Sequence, residues 1–143
     1  TEMNTEINKR AARAFLECFD KGDFAAWRAM QAPGMVAQVN GGDKTLSAEE
    51  FEGMVRMFAD AFAHGRHIIQ RQVAEGDWVA TSLTWTAVHV GTFNGIPASN
   101  RPVQIDGGAY DRLVDGKIAE HRAHFDVMAL MTQIGAIPAA AAA

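Results

Sequence analysis

The sequence predicts an α+β domain in which helices come first and a run of antiparallel strands follows. Three observations carry that prediction. Apolar residues recur at helical spacing through the first 62 of the 143 residues. From about residue 67 the period shortens to two. Turn pairs, Gly76-Asp77 and Asp115-Gly116, then separate the strands. A strongly curved, mainly antiparallel sheet wrapped by three N-terminal helices and a short C-terminal helix leaves a cone-shaped cavity. Concave apolar space of that kind is where small molecules bind.

The first helix is set by Ile7, Ala11, Ala14, Phe15, Cys18 and Phe19, which fall on one face, and Gly22 ends it. Asp23 caps a second, short helix that offers Phe24 and Trp27 to the core. Pro33-Gly34 breaks it, and "MVAQVN" (35–40) reads as a strand running into a turn. Ser47, with Glu50 three residues later, is the signature of a capping box. The third helix so opened has Phe51, Met54, Val55, Phe58 and Phe62 as its buried stripe.

Strands follow over 67–75, 78–90, 103–114 and 117–125. On the second of these, Val79, Leu83, Trp85, Ala87 and His89 share a face. Gly107-Gly108 marks a bulge or a close backbone approach. The last helix carries Met128, Leu130 and Met131 and stops at Gly135. Residues 1–138 read as one domain and 139–143 as a low-complexity tail.

Composition excludes several classes. A formal net charge of −4 lacks the basic footprint that nucleic acid requires. No apolar run approaches the ~20 residues of a membrane span, and the start shows no signal-peptide pattern. Cys18 is the single cysteine, so no internal disulfide forms and no Cys–His metal spacing exists. A cytoplasmic protein with no metal site is the expectation.

Three ordered segments carry a family resemblance: "HVGTFNGIP" (89–97), "DRLVDGKIAEHRAHFD" (111–126) and "LMTQIGAIP" (130–138). Together they resemble the SnoaL-like polyketide cyclase and ester cyclase branch of the nuclear-transport-factor-2-like superfamily. The resemblance implies a cone fold, no cofactor, a small apolar molecule as the partner, and a homodimer paired through the convex sheet face. It also implies ring closure by aldol chemistry, with an aspartate on the last strand as general acid/base and a histidine on the strand before it. Aligned on "VDGKI", these two positions hold Ala123 and Ala109. Gly107 removes a further side chain from the same face. Epoxide-hydrolase-like members of the superfamily also use an aspartate at the Ala123 position. The aspartate of ketosteroid-isomerase-like members falls nearest Gln38.

Other groups must then carry any acid/base chemistry. His121 lies two residues before Ala123, so strand alternation gives both one face. His89 shares a face with Trp85, near the expected mouth of the cone. Asp126 reads as a helix N-cap or as the group that orients His121. These three are the catalytic candidates. Each has a plainer reading, as a satisfied core histidine or a cap. Phe15, Trp27, Gln38, Met54, Phe58, Trp85, Gly107, Ala109 and Ala123 are the candidate cavity wall, Trp85 being placed to stack on a flat ligand. Asp106 and Asp111 read as surface or hairpin carboxylates, and His64 and His67 as structural residues at a helix end.

Two classes of function follow. One is a cyclase, isomerase or hydrolase whose base has moved to His121 or His89, or which works by shaping its substrate. The other is a binding protein for a hydrophobic ligand. An Ala123 introduced in place of a catalytic aspartate is a third explanation of the same sequence.

Overall fold

The computed structural model describes residues 2–138. The elements run α1 (Glu2–Lys21), α2 (Phe24–Ala29), β1 (Gln31–Val39), β2 (Leu46–Ser47), α3 (Ala48–Ala61), β3 (Phe62–Glu75), β4 (Trp78–His89), β5 (Pro102–Val114), β6 (Lys117–Phe125) and α4 (Val127–Gln133). The expected tail, 139–143, lies outside the described residues.

Among the described residues the strands form one six-stranded sheet in the order β2-β1-β6-β5-β4-β3. Every neighbouring pair is antiparallel except β1 with β6. The sheet curves, and the helices pack into its concave side, giving the α+β architecture the sequence predicts. Hairpin turns link β3 to β4 and β5 to β6. Asp115 and Gly116 both have positive φ, which suits the twist of a two-residue turn.

Local signals act where the sequence puts them. Asp23 accepts from the Ala26 amide at 3.0 Å. Ser47 and Glu50 form both halves of the capping box. The core divides into two apolar clusters. One surrounds Phe15, Trp27, Phe51 and Val79 at the closed end of the cone. The other surrounds Phe62, Phe93, Val103 and Leu130.

Four expectations are corrected. Ile7 is 45% exposed, while Ala12 and Leu16 are buried, so the helix face turns about one position from the expected stripe. Phe62 is no longer helical; it adopts an extended backbone and pairs with His89 at the start of β3. β3 therefore begins five residues early, accommodated by a register shift between Ala63 and Arg66. No bulge occurs at Gly107-Gly108, since β4 and β5 pair without a break from Trp78–Arg112 to Val88–Pro102.

Gly107 instead marks a close approach. A Cβ there would lie 2.5 Å from the Phe125 ring and 2.6 Å from the His124 carbonyl oxygen. The Phe125 ring occupies the space that a side chain at 107 would take.

Candidate active site

The cone encloses an apolar cavity of about 120 Å³ between the concave sheet face and helices α1, α3 and α4. That is smaller than the roughly 300–1,000 Å³ typical of drug-sized ligand sites. Its wall includes the expected Met54, Phe58, Trp85, Ala109 and Ala123. Gly107 does not widen it, because Phe125 fills that place and lines the cavity itself. The polar side chains of the wall are Asn40, His67 and His121.

His121 is the most constrained of them. It is 3% exposed, and its Nδ1 lies 2.6 Å from Oδ1 of the fully buried Asp111. Phe15 and Phe51 hold the ring from two sides, with centroids at 5.4 and 5.2 Å. Asp111 therefore orients His121, a role the sequence offered to Asp126. Asp126 caps α4 by accepting from the Ala129 amide at 2.9 Å.

Register explains the pairing. Asp111 faces His121 across β5 and β6, and Ala109 faces Ala123 on the next inward rung. A reading of Asp111 as a surface carboxylate fails because β5 is paired on both edges and its odd-numbered residues turn inward. The second oxygen, Oδ2, is buried without a hydrogen-bond partner. An unpaired buried carboxylate oxygen is costly.

His67 is the second imidazole of the wall; the sequence placed it as a structural residue at a helix end, and it lies instead within β3. Asp20, near the end of α1, accepts from the His67 amide at 2.8 Å and meets its Nδ1 at 2.6 Å. The signal that could have found it is alternation: His67 is in register with Trp85, itself a predicted wall residue. Asn40, at the end of β1, accepts from the Phe125 amide at 2.8 Å, which fixes its side-chain amide at the cavity rim.

His89 lies elsewhere. It is fully buried, packs on Phe62 at 5.2 Å and is absent from the cavity wall. Its Nδ1 accepts from the Ser99 amide at 3.1 Å and meets Ser99 Oγ at 2.9 Å. That uses the ring's lone pair, so this histidine clips the 90–101 loop to the sheet. The loop in turn presents Phe93 to the cavity through a tight Asn94-Gly95 turn closed by two Phe93–Ile96 backbone bonds.

The other candidate wall residues are also displaced. Phe15 and Trp27 are fully buried behind His121, stacked on each other at 5.1 Å. Gln38 points away and donates to the Gly42 carbonyl. No group of three side chains suited to a metal comes together among the described residues. No helix among them is long and apolar enough to cross a membrane.

This geometry has relatives. The family model for the SnoaL-like polyketide cyclase matches residues 9–134, nearly the whole described chain. The chain belongs to the SnoaL-like polyketide cyclase family. Within it, the aklanonic acid methyl ester cyclase DnrD of Streptomyces peucetius is 33% identical over 88 residues, 61% of each chain. DauD of Streptomyces sp. (strain C5), of the same description, is likewise 33% identical over 88 residues, covering 61% of this chain and 55% of its own. The matched stretch thus spans less than two thirds of either relative. Among SnoaL-like folds, AclR of Streptomyces galilaeus superposes with a TM-score of 0.87 at 23% identity, covering 96% of this chain and 86% of its own. IdmH of Streptomyces antibioticus gives 0.81 at 26% identity, covering 90% and 98%.

Proposed function

We propose that this chain is a SnoaL-like cyclase that acts on a mostly apolar, carbonyl-bearing small molecule, with His121 as the general base and Asp111 as its positioning partner. It works without a metal or organic cofactor. The observation that carries the reading is the buried His121–Asp111 pair facing the cavity. The family's aspartate and histidine align with Ala123 and Ala109. Here the same two residue types recur one rung away, exchanged between strands, as His121 on β6 and Asp111 on β5. Acid/base capacity has moved rather than vanished.

The chemistry follows from the two ring nitrogens. Asp111 holds Nδ1–H, which fixes the tautomer and leaves the Nε2 lone pair for the cavity. Nε2 takes a proton from a carbon beside a carbonyl, and the carboxylate stabilises the imidazolium that forms. The names of DnrD and DauD support a polyketide ester as the substrate class. The small cavity requires such a molecule to enter by displacing flexible wall residues such as Met54.

The test is proton abstraction from 5-nitrobenzisoxazole, a reaction that asks only for a base in an apolar site. The wild-type protein accelerates it over free imidazole, and His121→Gln lowers the rate roughly 100-fold or more. Equal rates for the two proteins overturn the assignment. The Ala109–Ala123 rung favours a second reading, a ligand carrier, which saturable binding of hydroxyaromatic molecules without any turnover would support.

The convex face bears exposed Val73 and Tyr110, which supports a homodimer paired on that side. Light scattering that returns a monomer mass removes it. A cytoplasmic location rests on the sequence expectation, and fractionation of the source cells tests it.

A further inference from the structure

We propose that His67 and Asp20 form a second acid/base pair, which acts as the proton donor to the substrate oxygen. The proposal rests on the reading of His121 as base. It begins with a carboxylate in an unfavourable place. Asp20 sits in the last turn of α1, where the helix dipole disfavours negative charge. The fold accepts that because Asp20 grips His67 twice, through the backbone amide at 2.8 Å and the ring Nδ1 at 2.6 Å. A single bond would secure the strand; the second fixes the ring.

The His67 side chain is 7% exposed, yet it lines the cavity. Phe19 meets it edge-on at 5.5 Å and Phe125 at 6.3 Å. With Nδ1 committed to Asp20, Nε2 is the nitrogen left for a ligand. Nothing in core packing calls for an imidazole against an apolar cavity held by a carboxylate on a different element.

The two pairs stand on different strands and at different depths. His67 is in register with Trp85 on β4, whereas the β4 partner of Asp111 is Val79. Both rings line the one cavity from different strands. A substrate folded with its acidic C–H against the acceptor carbonyl is therefore met by both.

The step balances. His121 Nε2 takes the proton from carbon, and the carbanion forms a C–C bond to the second carbonyl carbon. The π electrons of that carbonyl move to its oxygen, which takes the proton from the His67 imidazolium. Net, one C–C bond forms and one proton moves from carbon to oxygen, with no oxidant or reductant. His121 then loses its proton, and His67 regains one, by exchange with solvent.

The probe is 4-nitrophenol, whose absorbance reports its ionisation when bound. A donor at His67 favours the bound phenolate. The ionisation constant of bound 4-nitrophenol is then roughly tenfold higher in the wild type than in His67→Gln. Asp20→Asn, which can still accept from the His67 amide, gives an intermediate value. His124→Gln, at an exposed position on the opposite sheet face, leaves the value unchanged. In the wild type, the ¹⁵N signal of His67 Nε2 moves on adding the probe, a readout that needs no variant to fold.

Absence of a His67-dependent shift, through lack of binding or through an unchanged titration, overturns the proposal. So does a shift that follows His121 instead. The 5-nitrobenzisoxazole rate reports His121 separately, so failure of the base and failure of the donor give different patterns.

Discussion

His121 Nδ1 and Asp111 Oδ1 lie 2.6 Å apart on adjacent strands, fully enclosed, one rung from the facing alanines 109 and 123. Two inward positions of β5 and β6 thus carry a polar pair, and the next two carry methyl groups.

Asp111→Ala strands the imidazole of His121 among aromatic rings. We expect a loss of about 2–4 kcal/mol of stability, because one partner of a buried pair is left unsatisfied. Urea unfolding measures it. A loss below about 0.5 kcal/mol would show that the pair is not a structural constraint.

Ala123→Asp introduces a carboxylate on the inner face, beside His121 and 4% exposed in the parent residue. Burial of the new charge lowers stability by about 1–3 kcal/mol. The abstraction rate with 5-nitrobenzisoxazole rises if the rung still admits a base in contact with ligand. An unchanged rate in a folded variant shows that the Ala123 position no longer reaches the substrate.

Gly107→Ala forces a methyl group into the Phe125 ring and the His124 carbonyl. The expected loss is about 1–3 kcal/mol. Phe125→Ala relieves only the ring contact, so the two changes together are non-additive. Strict additivity in thermal melts contradicts the contact.

His89→Ala removes one anchor of the 90–101 loop from a position outside the cavity wall, while the Phe93–Ile96 backbone bonds still hold the turn that carries Phe93. Stability falls by about 1–3 kcal/mol, while 5-nitrobenzisoxazole turnover per folded molecule stays within about twofold. A rate loss like that of His121→Gln returns His89 to the catalytic set.

Glu120 lies between Arg122 at 2.7 Å and Arg112 at 3.4 Å. The hydrogen bond from Arg122 is the main cause holding its carboxyl below the ordinary value of 4.5, against a smaller opposing effect of burial. A carboxyl lowered on folding stabilises the protein above its unfolded value and loses that contribution as the pH falls through its folded value. Glu120→Gln should therefore cost about 0.2–1 kcal/mol at pH 7. The difference from wild type should shrink below pH 4.5 and approach zero in stronger acid. A difference that persists in acid assigns the effect to packing.

Elements with strong local chemistry were legible in the sequence. The capping box at Ser47, the Asp115-Gly116 hairpin and the alternation of β4 each act through neighbours a few residues away. His121 was legible too, because alternation ties its face to that of Ala123. Phe15 and Trp27 were expected in the wall and stand one layer behind it. Periodicity tells an inward face from an outward one, but not the first inward layer from the second. His89 failed as a wall residue because it sits at the end of β4, packed beside Phe62 and bonded to Ser99 of the 90–101 loop.

The sequence by itself determined the α+β class and the family. Those are properties of local pattern and of ordered motifs. Only the tertiary structure decided which polar side chains meet at the cavity. His121 meets Asp111 across 10 residues and His67 meets Asp20 across 47. Both contacts are set by strand register and by where α1 ends on the sheet, and no local spacing encodes either.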